Sequence, residues 1–277
     1  MPQVGVLADL CPVGGRTAQV SEYRDLWHPM SKFKSTQNQN GQARTWASLQ
    51  RQVITCNRCA RLRAHCTKIA SEKRAAFADQ IYWGKPVPNF GSPDARLLIV
   101  GLAPAAHGAN RTGRVFTGDR SGDFLFRALF EAGFANQPTS SHAKDGLLLR
   151  DAVITAVARC APPDNKPTPE ELANCADYLE TTFDVMRNLR EVVALGRIAF
   201  DACLRIYRAR LWLDAGKARP VFGHGLSYQS QGAPTLTACF HPSQQNTFTG
   251  RLTPSMMLDV FTGVAGRLSD PQTRTAG

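Results

Sequence analysis

Apolar residues recur along this chain in two rhythms. Short unbroken runs, ARLLIVGL (95–102), DAVITAVARC (151–160), EVVALG (191–196) and TLTACFHPS (235–243), are bounded by turn residues. Their length and continuity predict strands buried on both faces. Between them the spacing changes to three and four. Leu125, Leu129 and Ala132 form one stripe, which predicts a helix from a Ser121 cap through Gly133. Thr168, Pro169, Glu170 and Glu171 spell a capping box with proline at the first helical position; the helix they open carries Leu172, Leu179, Phe183 and Met186 on one face. Further helices are predicted over 197–209, 253–267 and, upstream, 43–56, where Trp46, Leu49 and Val53 align. Strand alternating with helix predicts an α/β fold, a parallel sheet covered on both sides. Ligands of such sheets bind outside the carboxyl ends of the strands. The loop GLAPAAHGANRTGRVFTGD (101–119) leaves the first such end, and HPSQQN (241–246) leaves the last.

The sequence ahead of the first strand is organised differently. Residues 1–44 include the polar, turn-rich SKFKSTQNQNGQAR and predict a flexible extension before a domain over 45–277. A basic stretch then carries Arg58, Arg61, Arg63, Lys68, Lys73 and Arg74. Over the whole chain Lys and Arg outnumber Asp and Glu by 33 to 22, a formal charge of +11. A polyanion such as nucleic acid suits that balance, and so does a merely solvated basic surface. No run approaches the ~18 consecutive apolar residues of a membrane span. The first residues lack the basic start and long apolar segment of a signal peptide. The expected setting is the cytoplasm, at the nucleoid in a bacterium, with no membrane partner.

Eight cysteines in such a setting point to metal or catalysis rather than a disulfide framework. Cys56 and Cys59 form a C-x-x-C in the basic stretch. Cys160 ends the second apolar run, and Cys175 falls inside the capped helix, so the pair brackets one strand-to-helix loop. Four thiolates hold zinc or an iron–sulfur cluster, and spacing does not choose between them. Cys175 also lies on the apolar stripe, where a plain core residue would sit. Cys203 and Cys239 fall inside regular elements and read as core; Cys66 is a substitute ligand, and Cys11 belongs to the leading segment.

The 101–119 loop is poor in side chains at Gly101, Ala103, Ala105, Ala106 and Gly108. Small residues let a ligand approach the backbone, whose successive N–H groups can face an anion. Asp119 follows a Phe-Thr-Gly turn and also suits a helix cap. His241 follows the last strand. A carboxylate and an imidazole at one sheet edge are a stronger indication of a site than either alone.

Three segments in this order, GLAPAAHGANRTGRVFTGDRSGDFL, RCAPPDNKPTPEELANC and HPSQQNTFTGRLT, resemble the uracil-DNA glycosylase superfamily, specifically its type B, fifth-family branch. The resemblance runs from about Cys56 to Arg267. It implies a three-layer αβα sandwich around a central four-stranded, mostly parallel sheet. It implies a [4Fe–4S] cluster on Cys56, Cys59, Cys160 and Cys175. The implied activity is that of a monofunctional, monomeric DNA glycosylase of base excision repair. It would take uracil and other deaminated bases such as hypoxanthine from double- and single-stranded DNA. Uracil-specific relatives place a polar residue early in the first loop; Leu102, Ala103 and Ala105 stand there in this chain, which leaves Asp119 as the carboxylate.

By the same resemblance the base is flipped into a pocket floored by Gly101, Leu102 and Ala103 and stacked on Phe116. His241 stabilises the departing base anion, Asp119 the sugar cation or the attacking water, and Asn165 contacts substrate or water. Ala156 stands where uracil-preferring relatives carry an asparagine that reads the base edge, which implies a permissive pocket. Arg111 and Arg114 would hold phosphates, and Gln245 and Asn246 would fill the vacated stack. Two rivals remain at this point. A non-catalytic, zinc-containing nucleic-acid-binding module explains the charge and the cysteines but not Asp119, Asn165 and His241. A phosphate-binding hydrolase lacks the G-x-x-x-x-G-K-[ST] signature.

Overall fold

Leu97, Leu98, Ile99 and Val100 are all fully buried, as an unbroken apolar run requires when helices cover both faces of its sheet. The computed structural model describes residues 45–213, 219–230 and 232–270, all within the compact unit Thr36–Gly277. The extension expected over 1–44, with Cys11, lies outside the described residues. In chain order the elements begin with α1 (Trp46–Ile54), α2 (Ala60–Glu72), β1 (Phe90–Gly91), β2 (Leu97–Gly101), α3 (Ala109–Thr112) and α4 (Arg120–Glu131). They continue with β3 (Ala152–Ala156), α5 (Pro169–Val185), β4 (Glu191–Leu195) and α6 (Arg197–Ala209). The last are β5 (Ser227–Tyr228), β6 (Thr235–Cys239), α7 (Gln244–Phe248) and α8 (Pro254–Ser269).

The sheet has the order β1-β3-β2-β4-β6-β5. Its four central strands are parallel, as expected, with Gly101 of β2 beside Ala156 of β3 and Leu195 of β4 beside Cys239 of β6. Two short antiparallel strands flank them: β1 pairs Phe90 with Ile154, and β5 pairs Ser227 with Thr237. The expected four-stranded sheet is thus a six-stranded one, because two-residue edge strands are too short to leave a periodic signal. Leu125, Phe126 and Leu129 of α4 and Met257, Phe261 and Val264 of α8 pack on Ile99, Ile154 and Val193. Side chains alternate across a strand, so the opposite face is left to α5 and α6, which meet through Phe183 and Tyr207 with ring centroids 6.3 Å apart. Among the described residues no helix is long and apolar enough to cross a membrane.

Three boundaries differ from the sequence expectation. Helix α4 is capped by Asp119, not Ser121: Asp119 is extended (φ −145°, ψ 165°) and its side chain accepts from the Gly122 N–H. The second strand stops at Ala156, and Val157 and Ala158 instead donate to the carbonyls of Gly101 and Leu102, both at 2.9 Å. The basic stretch is largely a helix, α2, whose buried stripe is only Leu62 and Cys66.

Candidate active site

The carboxyl ends of β2, β3 and β6 deliver three segments to one edge. Gly101 has no side chain where the ring of Phe116 lies; a Cβ there would stand 2.7 Å from the ring. Phe116 holds this position with a left-handed backbone, φ 51°, a conformation that is costly for a bulky residue. Its ring faces His241, with centroids 5.9 Å apart and planes inclined by 35°. Leu102 and Ala103, which follow Gly101 in the chain, are half-buried, and Ala156 is buried. Of the expected floor residues, Gly101 is the one that lies against the Phe116 ring.

Asp119 stands three residues beyond Phe116. Oδ1 accepts from the Gly122 N–H at 2.9 Å. Oδ2 packs so closely over Gly108 that any side chain at 108 would overlap it. Burial raises the Asp119 pKa above the usual carboxylate range, against the hydrogen bond from Gly122 and the positive charge of Arg111. The helix-cap reading of Asp119 holds, and it leaves the second oxygen free of the cap.

Burial pushes His241 down to about 4, so its imidazole is neutral at neutral pH. Its carbonyl accepts from Asn246 Nδ2 and from the Ser243 N–H, both at 2.8 Å. Gly196, at the end of β4 with φ +94°, leaves room for it: a Cβ there would come within 3.3 Å of the His241 Cβ.

The remaining predicted residues are not brought into contact with this group. Asn165 is exposed and left-handed (φ 57°), directly after left-handed Asp164 (φ 53°), in the loop that follows Cys160. Asn246 is half-buried with its amide on the His241 carbonyl, so it braces the loop rather than standing free as a wedge; Gln245 is exposed. Arg111 and Arg114 are each only 6% exposed. Arg111 donates to the carbonyls of His107 at 2.7 Å and Gly118 at 3.0 Å. Arg114 pairs with Asp145 at 2.7 Å and donates to Thr117 Oγ1 at 2.9 Å. Arg111 thus braces the loop and Arg114 ties it to the 140–145 segment, contrary to the expectation that they meet phosphates. Sequence composition registers a charge but not whether a partner consumes it. Exposed Arg120 and Arg127 instead line a groove of about 290 Å³ between α4 and α7, together with Asp123, Glu131 and Phe248. Phe248 is 68% exposed with Arg120 over its ring at 5.4 Å, an aromatic the sequence reading missed.

The cysteines converge through ion pairs. Arg61 makes a two-pronged contact with Glu171 at 2.7 and 2.8 Å, and Arg58 pairs with Asp177 at 2.7 Å while lying over the Tyr178 ring. These contacts pin the C-x-x-C to α5, where Cys175 is buried. Cys59 then lies in the field of Cys56 and Cys160, and Cys175 in that of Cys160 and Cys59. Asn174 Nδ2 donates to Cys59 Sγ at 3.6 Å. Burial pushes the Cys175 thiol up to about 12. Cys66 donates to the Ala161 carbonyl at 3.6 Å and packs with Cys160 in one buried cluster. Cys203 and Cys239 are core, as expected. Among the described residues no three His, Cys, Asp or Glu side chains close up around a single ion position.

The model of the uracil DNA glycosylase superfamily matches residues 88–263. A type-5 uracil-DNA glycosylase of Mycobacterium tuberculosis is 50% identical over 210 residues, covering 76% of each chain. One of Thermus thermophilus is 48% identical over 209 residues, 76% of this chain and 92% of the relative. A type-4 uracil-DNA glycosylase of Archaeoglobus fulgidus is 35% identical over 122 residues, 44% and 53% of the two chains.

Proposed function

Because this chain belongs to the uracil DNA glycosylase superfamily, in its type-5 branch, we propose that it hydrolyses the N-glycosidic bond of uracil in DNA, and that it also takes deaminated purines such as hypoxanthine. The observation that carries this reading is the grouping of Phe116, Asp119 and His241 at the carboxyl edge of the sheet, over the side-chain-free positions Gly101 and Gly108. A flipped base enters between Phe116 and the loop backbone. As the bond lengthens, charge separates into a base anion and a sugar cation. Neutral His241 donates a hydrogen bond to the anion, a contribution on the order of 2.7–4 kcal/mol for one such donor. The Asp119 oxygen not engaged by the cap stabilises the sugar cation or orients water. Asn165, on its left-handed turn, reaches substrate only once DNA is bound.

The reading extends to the DNA contacts. Arg120 and Arg127 take the phosphate role first expected of Arg111 and Arg114, and Gln245 and Phe248 are the side chains exposed near the vacated stack. It also extends to the metal centre. The four thiols Cys56, Cys59, Cys160 and Cys175, with the Asn174 amide donating to the Cys59 sulfur, fit a [4Fe–4S] cluster. When bound, that group supplies a rigid cross-link between the C-x-x-C, the segment after β3 and α5.

The test is a panel of oligonucleotides, each with one lesion, in single and double strands, incubated with the protein and treated with alkali. Strand breaks at uracil and at hypoxanthine are expected. Breaks at uracil alone would remove the broad specificity, and breaks at no lesion would remove the reading.

A further inference from the structure

Arg159 is 1% exposed, the largest side chain buried to that degree among the described residues. Its Nη1 donates to Asn89 Oδ1 and its Nη2 to Thr182 Oγ1 at 3.4 Å, while Nε meets no acceptor. Neither partner carries charge. Asn89 is itself closed into a neutral network, accepting from Thr155 Oγ1 and donating to Thr182 Oγ1 at 3.2 Å. The carboxylate whose field reaches the guanidinium is that of Asp177, which is about half-exposed and already paired with Arg58 at 2.7 Å. A guanidinium keeps its proton under all physiological conditions. A buried charge without a counter-charge strongly destabilises a fold.

The groups beside Arg159 that can carry negative charge are sulfurs. It directly precedes Cys160 in the chain, and the negative charges that would act on it are those of Cys175 first, then Tyr178 and Asp177. Four thiolates outweigh the positive charge of an iron–sulfur core, so the ligated group is a net anion. We propose that Arg159 is the buried counter-cation of the thiolate-bound cluster, holding it in place and raising its reduction potential. This rests on the iron–sulfur reading above. Arg159 touches no reacting atom of DNA, so its role is electrostatic positioning. The sign follows from charge: reduction adds an electron to the group, and a nearby cation favours the reduced form.

The experiment uses the full chain purified without oxygen, as wild type, Arg159→Met, Arg159→Lys and Asn89→Ala. Iron per chain, the rate of iron release to a chelator and the reduction potential are measured on each. Arg159→Met should release iron at least tenfold faster and show a lower potential. Arg159→Lys, which keeps the charge, should stay near wild type in potential. Asn89→Ala removes the hydrogen-bonded partner but not the cation, and should leave the potential unchanged. If Arg159→Met fails to accumulate folded, Arg159→Gln makes the same neutral comparison with a polar side chain. An unchanged potential and release rate in the neutral variant would overturn the proposal, as would an Asn89→Ala shift as large as that of Arg159→Met. A wild-type protein devoid of iron would defeat the cluster reading itself, and this inference with it.

Discussion

Asp119 has two oxygens with different tasks, and substitutions separate them. Asparagine caps helices about as well as aspartate, so Asp119→Asn keeps α4 anchored to Gly122. Burial raises the folded-state pKa of Asp119, so the stability it contributes is present at low pH and lost as pH rises through that value. At neutral pH Asp119→Asn should therefore melt at or above the wild-type temperature, whereas Asp119→Ala, which loses the cap, should be less stable by about 1 kcal/mol. His241 has the opposite sign. Its folded pKa lies near 4 against about 6.5 for a free imidazole. Its contribution is lost as pH falls from about 6.5 toward 4, and His241→Gln should flatten that part of a stability-versus-pH curve; an unaltered curve would show that another group sets it. Ala156 bears on selectivity. It is buried beside Gly101, and Ala156→Asn should shift the uracil-to-hypoxanthine excision ratio toward uracil by about tenfold, one hydrogen bond's worth. An unchanged ratio in single-turnover excision would show that Ala156 does not set pocket breadth.

At the scale of elements, the cysteines depend on how α2 and α5 meet. Cys160→Ala leaves three thiolates, and iron content per chain should collapse; unchanged iron would transfer the ligand role to Cys66, which already contacts Cys160. The elements differ in how far the sequence announced them. The four central strands and α5 were legible because each carries a strong local signal: unbroken apolar runs, and the Thr168–Glu171 box that forms with both of its hydrogen bonds. Helix α2 was not, because only Leu62 and Cys66 mark its buried side. The cap of α4 was misassigned because Asp119 and Ser121 are both good caps, and only the extended backbone at 119 decides between them. Phe116 and His241 were each legible as loop residues near a strand end. Their mutual contact depends on the left-handed turn at 116, which no periodicity encodes.

The molecule as a whole carries a formal +11, yet Arg111, Arg114 and Arg159 are buried. Arg114 with Asp145, Arg61 with Glu171 and Arg267 with Glu191 bind elements together. Removing Arg114 would leave Asp145 on the N–H groups of Ser141, His142 and Leu147 alone, with a loss of about 1.5–3 kcal/mol of stability. Exposed Arg127 should behave differently: Arg127→Ala should change stability by no more than about 0.5 kcal/mol, yet weaken DNA binding at all sequences and reduce its salt slope by about one. Equal salt slopes would place the DNA elsewhere. The central claim is that this edge of the sheet breaks a glycosidic bond with Asp119 as its carboxylate. Single-turnover excision from a uracil-containing oligonucleotide, by wild type and by Asp119→Asn with DNA binding measured alongside, tests it most directly. The account predicts a rate lower by about 10²-fold or more with binding retained; an Asp119→Asn rate close to wild type would contradict it.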